Sequence, residues 1–201
     1  MTGEPNAHEY FDGLYKRSDD PWLLRDRWYE RRKRALTLAA LPDERYRRAY
    51  EPGCANGEFT AELAARCDTL LAADLNPAAV DLARRRVADL RHVQVEQRAM
   101  PESWPDGTFD LIVISEVGYY LNDEQLIELA DRMKAALSER GTVLACHWRK
   151  PIKGWPYTGD DVHKRLGKLI AWPHISHYVD DDFLLDVWTA AEGSVHDREA
   201  R

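Results

Sequence analysis

The chain has 201 residues, 44% of them hydrophobic and 31% charged, and 28 basic side chains against 35 acidic ones give a formal charge of −7. A chain of this size suits one domain that buries a full core without a disulfide or metal staple, and its acidic balance argues against nucleic acid as the main partner. Its apolar stretches are short against the ~20 residues that a bilayer-spanning helix needs, so no membrane is expected as partner.

Met1 to Tyr10 is polar, so no charged-then-apolar leader is expected. Cys54, Cys67 and Cys146 show no pairing spacing, so a reducing, cytoplasmic setting is expected. No internal repeat or low-complexity run interrupts the sequence. In chain order, Trp22 to Leu41 reads as a helix rich in Arg and aromatics, stopped by Pro42. Tyr46 to Glu51 is a short strand that meets a turn at Pro52-Gly53. Gly57 to Ala65 has helical periodicity, with Phe59, Leu63 and Ala64 on one face. Leu70 to Leu75 reads as a strand, Ala78 to Leu90 as a helix with Val80, Leu82, Ala83 and Val87 inward, and Val93 to Val95 as a short strand. Phe109 to Ser115 is nearly all apolar, as expected of a strand buried on both faces. Asp123 to Leu137 is an amphipathic helix with Asp123 as N-cap; Gly141 ends it and Thr142 to His147 follows as a strand.

After His147 come a Gly- and Pro-rich loop from Arg149 to Asp161 and a helix from Asp161 to Leu169. Two strands, Ile175 to Val179 and Phe183 to Thr189, then form an antiparallel hairpin. The tail from Glu192 to Arg201 looks frayed. Short apolar strands alternating with helices define βαβ units, so the expected fold class is α/β: a doubly wound, Rossmann-like, seven-stranded and mainly parallel sheet with an antiparallel C-terminal hairpin.

Glu51-Pro52-Gly53-Cys54-Ala55-Asn56-Gly57 lies between the first strand and its helix. Glycine there removes the Cβ and lets a ligand lie against the backbone, although such a turn can also be plain chain reversal. Glu51 sits where a carboxylate receives a cationic amine but repels a pyrophosphate. Asp74 closes the next strand, where a carboxylate accepts hydrogen bonds from both ribose hydroxyls. The tighter Gly-x-Gly-x-x-Gly of dinucleotide folds is absent, which disfavours a nicotinamide oxidoreductase. An acid before the turn and another ending the next strand suit an adenosine with an amino-acid tail and no phosphate.

With these residues in view, Tyr46 to His147 resembles the core of class I S-adenosylmethionine-dependent methyltransferases. The Glu-x-Gly-Cys-Ala-x-Gly variant, followed by Phe59 and Thr60, is similar to the nodulation protein NodS family of N-methyltransferases, which methylate the amine of a glucosamine in chitooligosaccharide signals. Further matches are Asp19-Asp20-Pro21-Trp22, Trp28-Tyr29-Glu30-Arg31-Arg32, Ser115-Glu116-Val117-Gly118-Tyr119-Tyr120-Leu121 and His147-Trp148-Arg149. The resemblance implies S-adenosyl-L-methionine as cofactor, without a metal. It implies a single domain over residues 1–201: a helical lid over 1–45, a cofactor core over 46–147, and a substrate loop with the hairpin over 148–191. Cofactor contacts would come from Trp28, Arg32, Glu51, Gly53, Cys54, Ala55, Asn56, Gly57, Asp74, Leu75, Ala99, Met100 and Ser115. Trp28 and Arg32 would face inward, and Met100 would either pack on the adenine or fill core. Ala55 stands where the common motif has glycine, which is tolerable if the backbone there is not left-handed.

Methyl transfer is an in-line displacement in a water-excluding pocket, and an amine nucleophile must attack in its neutral form. Glu116, Tyr120 and His147 are the catalytic candidates. Glu116 would orient an ammonium or take its proton, or else cap a surface helix. Tyr119 and Tyr120 would stack on a sugar or cover the sulfonium, or serve as lid or core. His147 would act as base or bond to a backbone group. Trp148, Trp155 and Tyr157 suit a sugar or flat substrate, or hold their loop down. A metal reading of His174, His177 and Asp180 to Asp182 is set aside, because residues three apart on a strand point to opposite faces. The expected partner is a small-molecule acceptor, methylated on nitrogen; a secondary-metabolite hydroxyl and a cofactor-binding protein without transfer are the alternatives.

Overall fold

The computed structural model describes residues 6–199. Of the tail expected to fray, Val195–Glu199 form a short helix, and residues 200 and 201 lie outside the described residues. The elements are α1 (Ala7–Tyr15), α2 (Trp28–Ala39), β1 (Tyr46–Pro52), α3 (Glu58–Leu63), β2 (Cys67–Asp74), α4 (Pro77–Arg86), β3 (Val93–Gln97), β4 (Phe109–Ser115), α5 (Asp123–Ala136), β5 (Leu137–Trp148), α6 (Gly159–Ile170), β6 (His174–Val179), β7 (Phe183–Thr189) and α7 (Val195–Glu199).

The strands form one seven-stranded sheet in the order β3-β2-β1-β4-β5-β7-β6. The first five are parallel to their neighbours, and β7 runs antiparallel between β5 and β6. Helices cover both faces, and side-chain alternation along β4 divides the core between them. Ile112 and Ile114 pack with Leu126, Leu129 and Met133 of α5 and Leu166 of α6. Leu111 and Val113 pack on the other side with Leu63 of α3 and Leu144. The chain winds outward in opposite directions from the β1–β4 pair, so the carboxyl ends of these two strands diverge into a crevice.

Several boundaries differ from the sequence expectation for local reasons. The helix expected from Trp22 begins at Trp28. The preceding turns are held by the Asp20 carboxylate, which accepts from the Leu24 and Arg25 amides at 2.8 and 3.1 Å. Asn122, not Asp123, caps α5, in a reciprocal box with Gln125; Asp123 pairs instead with Arg165 at 2.7 Å. Gly141 does not end that helix. It lies inside β5, which starts at Leu137 directly after α5. Helix α1, absent from the sequence reading, is capped by Asn6 and pinned to the N-cap of α4, where Asn76 Nδ2 donates to Asp12 Oδ1 at 2.7 Å.

Candidate active site

The crevice opens into a cavity of about 770 Å3 between the carboxyl ends of the strands and the first two helices. One end is the turn after β1. The amides of Gly53 and Cys54 both donate to the Ala73 carbonyl, at 2.7 and 2.9 Å, which folds the turn back onto β2. Gly53 (φ 79) is needed for a reason other than ligand approach: a Cβ there would lie 2.1 Å from Val117 Cγ1. Gly57 (φ 81) likewise abuts α4, where a Cβ would come 2.9 Å from Ala83 Cα. The two glycines therefore close the turn against its protein neighbours.

Ala55 adopts φ 49, the left-handed conformation that the sequence reading expected an alanine to avoid. That geometry costs about 1–2 kcal/mol for a residue with a Cβ. It is offset because the Ala55 amide donates to Asp74 Oδ2 at 2.9 Å, a bond to a carboxylate contributing about 1.5–3 kcal/mol. Asp74 Oδ1 accepts from the Asn76 amide at 2.9 Å. Burial pushes the Asp74 carboxyl up to about 6, with the Asn76 and Ala55 amides opposing the shift. Gly53, Ala55, Asp74, Leu75, Ala99 and Met100 all face the cavity. Met100 also packs against the core, so its two readings coexist.

At the other end Glu116 turns the chain out of β4 with φ 58. Its amide donates to the Cys146 carbonyl at 2.9 Å. Its Oε1 receives Lys33 Nζ at 2.7 Å; its Oε2 accepts from the Tyr119 hydroxyl and, at 3.2 Å, from the Trp148 amide. Lys33 Nζ also pairs with Glu30 at 2.9 Å. Burial alone would discharge Lys33, but Glu116 and Glu30 hold its pKa well above the ordinary value. With two carboxylates around one ammonium, the Glu30–Lys33–Glu116 group carries a formal charge of −1, and the Arg27 guanidinium lies nearby over the Tyr29 ring. Tyr10, Tyr120 and Trp155 enclose the remaining wall, with ring centroids 4.8–5.8 Å apart. Tyr29 Oη and Trp155 Nε1, on residues of the wall, are buried polar atoms without a partner among the described residues.

Glu116 and Tyr120 thus line the cavity; several other expected residues do not. Trp28 is 68% exposed, and Arg32 pairs with Asp180 at 2.6 Å and with the Tyr178 hydroxyl. The inward stripe of α2 is Glu30, Lys33, Arg34 and Thr37, one position round from the expected one. Glu51 lies behind the turn with Oε2 buried, and among the described residues neither it nor Asn56 Nδ2 and Thr60 Oγ1 there has a hydrogen-bond partner. Cys54 packs into the core beside Ala72 and Val80. Gly57 and Ser115 are off the wall.

His147 is not poised as a base. It is fully buried, and burial together with His163 drives its pKa well below the ordinary imidazole value. Its Nε2 accepts from the Gly118 amide at 3.0 Å, and its Nδ1 meets His163 Nε2 at 2.9 Å. His163 Nδ1 in turn donates to Asp186 Oδ2 at 2.5 Å. The opposite-face reason for setting aside His174 and His177 also fails. The β6–β7 register shifts between His174 and Ser176, a bulge that puts both rings on one side. His174 Nε2 and His177 Nδ1 each lie 2.6 Å from Asp186 Oδ1. Asp180, by contrast, is committed to Arg32 and to the amides of Asp182 and Phe183.

Sequence reasoning missed Glu30, Lys33 and the α1 residues Tyr10, Phe11 and Tyr15. The signal for Lys33 was helical phase: Glu30, Lys33, Thr37 and Leu41 recur at helical spacing, but the stripe is charged and does not read as inward.

The sheet order and the crevice at its β1–β4 switch define a Rossmann-like fold of the methyltransferase type. The sequence profile of the nodulation protein S (NodS) family matches residues 11–170, and the chain belongs to that family. Nodulation protein S of Rhizobium tropici is 38% identical over 107 residues, 53% of this chain and 45% of that protein. The chain spans about half the length of the curated relatives it matches. Among solved structures, a candidate methyltransferase from Pseudomonas syringae is 52% identical with a TM-score of 0.73, covering 81% of this chain and 99% of that one. The N-methyltransferase NodS of Bradyrhizobium japonicum WM9, in complex with S-adenosyl-L-homocysteine, is 27% identical with a TM-score of 0.83, covering 94% of this chain and 100% of that one. Among the described residues no helix is long and apolar enough to cross a membrane.

Proposed function

We propose that this protein is an S-adenosylmethionine-dependent methyltransferase that acts on an amine of a small polar molecule, with an amino sugar or glycoside as the acceptor class. The observation that carries the reading is the charge layout of one cavity. Asp74 and the tight turn after β1 lie at one end, and a net negative Glu30–Lys33–Glu116 group lies at the other, where an ammonium would be attracted. Names of relatives support the same reading, since one is solved with S-adenosyl-L-homocysteine.

S-adenosylmethionine supplies, when bound, a methyl group on a sulfonium. The residues present fit it: Asp74 would accept from the ribose hydroxyls, and Leu75, Ala99 and Met100 would pack around the purine. The unpaired Glu51 Oε2 behind the turn supplies an acceptor for the amino-acid end. For the acceptor amine, Glu116 acts through charge and position. Its oxygens already hold Lys33, Tyr119 and the Trp148 amide, so the proton the amine sheds before attack passes to solvent. Tyr29 Oη and Trp155 Nε1 would bond substrate hydroxyls, and residues 6–45 with the 148–158 loop would exclude water. O-methylation is less well supported, because the two expected bases are unavailable: Glu116 is committed to Lys33, Tyr119 and the Trp148 amide, and His147 lies buried off the cavity wall.

Asp74→Ala tests the cofactor half. Calorimetry with S-adenosyl-L-homocysteine should show saturable binding to wild type, weakened about 10–100-fold in the variant through loss of charge-assisted bonds. Unchanged affinity in folded Asp74→Ala would refute the assignment. Mass spectra of products from amine-bearing and amine-free acceptors decide nitrogen against oxygen.

A further inference from the structure

We propose that His174, His177 and Asp186 form a binding site for one divalent transition-metal ion of the zinc class, outside the methyl-transfer cavity. His174 Nε2, His177 Nδ1 and a carboxylate oxygen of Asp186 lie within 4.8 Å of one another. Two imidazoles and one carboxylate are the donor set of zinc sites that keep an open position.

Exposure and support favour an ion over a simple hydrogen-bonded cluster. The His174 and His177 side chains are 44% and 51% exposed on the edge strand β6, whereas Asp186 is 6% exposed within the apolar strand β7. A cation can therefore arrive from solvent, meet both rings first and reach a carboxylate already desolvated. The ring of His174 is fixed by stacking on Trp188, with centroids 5.4 Å apart and planes 24° from parallel. The far oxygen of Asp186 is held by His163 Nδ1 at 2.5 Å, the outer-shell histidine–carboxylate contact that orients metal ligands.

The geometry needs little change. Zinc bonds of ~2.0–2.2 Å in tetrahedral array put ligand atoms roughly 3.3–3.5 Å apart. Both ring nitrogens now sit 2.6 Å from Asp186 Oδ1 and within 4.8 Å of each other, so the two exposed rings have to move by about 1 Å, away from the carboxylate and toward a shared centre. Each neutral ring then carries its one N–H on the other nitrogen, and water takes the fourth position. Asp160 and Lys164 line the same hollow. Asp160 is paired with Arg149, and the Lys164 ammonium is the feature that opposes a cation.

The experiment uses tag-free full-length protein freed of metal by chelator. It is titrated with zinc chloride by calorimetry and with cobalt chloride by visible absorption, beside the double variant His174→Ala/His177→Ala. We expect one equivalent of zinc at roughly 10 μM or tighter, cobalt bands of tetrahedral intensity, and a zinc-dependent rise in melting temperature. The double variant should lose affinity at least ~100-fold and lose the cobalt bands. Its metal-free melting temperature and S-adenosyl-L-homocysteine affinity, unchanged from wild type, report that it is folded. No saturable binding below about 1 mM in wild type, or equal affinity in the folded variant, overturns the site. Because neither readout involves methyl transfer, the result stands apart from the proposed activity.

Discussion

Lys33→Met is the sharpest test of the charge layout. Methionine keeps the stem but removes the ammonium that sits 2.9 Å from Glu30 and 2.7 Å from Glu116. Lys33 and Glu30 are each 7% exposed and Glu116 is 26% exposed, so two carboxylates would be left facing each other with little water. Removing one partner of a buried pair costs about 3–5 kcal/mol, and the partial exposure of Glu116 places this case near the lower figure. Three kcal/mol is a large part of the ~5–15 kcal/mol that holds a domain together and would lower its melting temperature by roughly 6–12 °C. The assay is urea unfolding followed by fluorescence of the seven tryptophans, at about pH 8. In the wild type the lysine pKa is raised above its ordinary 10.5, so the stability it lends is complete below that value and is lost only as pH climbs past it. The gap between wild type and variant should therefore be full at about pH 8, well below that value. A loss under about 1 kcal/mol would refute the reasoning.

Burial, with Asp74 adding and Thr60 opposing, pushes the Glu51 carboxyl from 4.5 up to about 8. A raised folded value means stability is greatest below about pH 4.5 and declines toward pH 8. Glu51→Gln should accordingly gain on the cofactor-free wild type by up to about 4 kcal/mol between pH 5 and pH 8 in parallel urea titrations. Gly53→Ala should cost about 2–4 kcal/mol, since its Cβ would sit 2.1 Å from Val117 Cγ1; in a Val117→Ala background only the left-handed cost of about 1–2 kcal/mol should remain. Trp28→Ala, at an outward position, should change stability by less than about 0.5 kcal/mol and leave S-adenosyl-L-homocysteine binding intact. A tenfold weaker complex would restore Trp28 to the cavity.

The legible parts of the sequence were those where burial and period agree. Phe109–Ser115 was bounded correctly because a strand covered on both faces must be apolar throughout. The acid-flanked turn could be read because Glu51 and Asp74 are tied to strand ends. The phase of α2 was not legible, because its inward stripe carries Glu30, Lys33 and Arg34, whose burial depends on partners distant in the chain. Helix α1 has only nine residues, and its aromatic face is explained only by the cavity it covers. The convergence of His174 and His177 depends on a register shift, which no side-chain pattern announces. The cost of Ala55 was legible; the Asp74 contact that compensates it was not.

The string of rings from Gly118 to Asp186 has a single polarity. A peptide N–H can only give a proton, so Nε2 of His147 is bare and its Nδ1 carries the hydrogen; the same logic forces Nε2 of His163 to receive and its Nδ1 to give. A carboxylate that can only receive terminates the series. The tautomers of two deeply placed imidazoles are thus dictated from the outer sheet, by an aspartate near the edge.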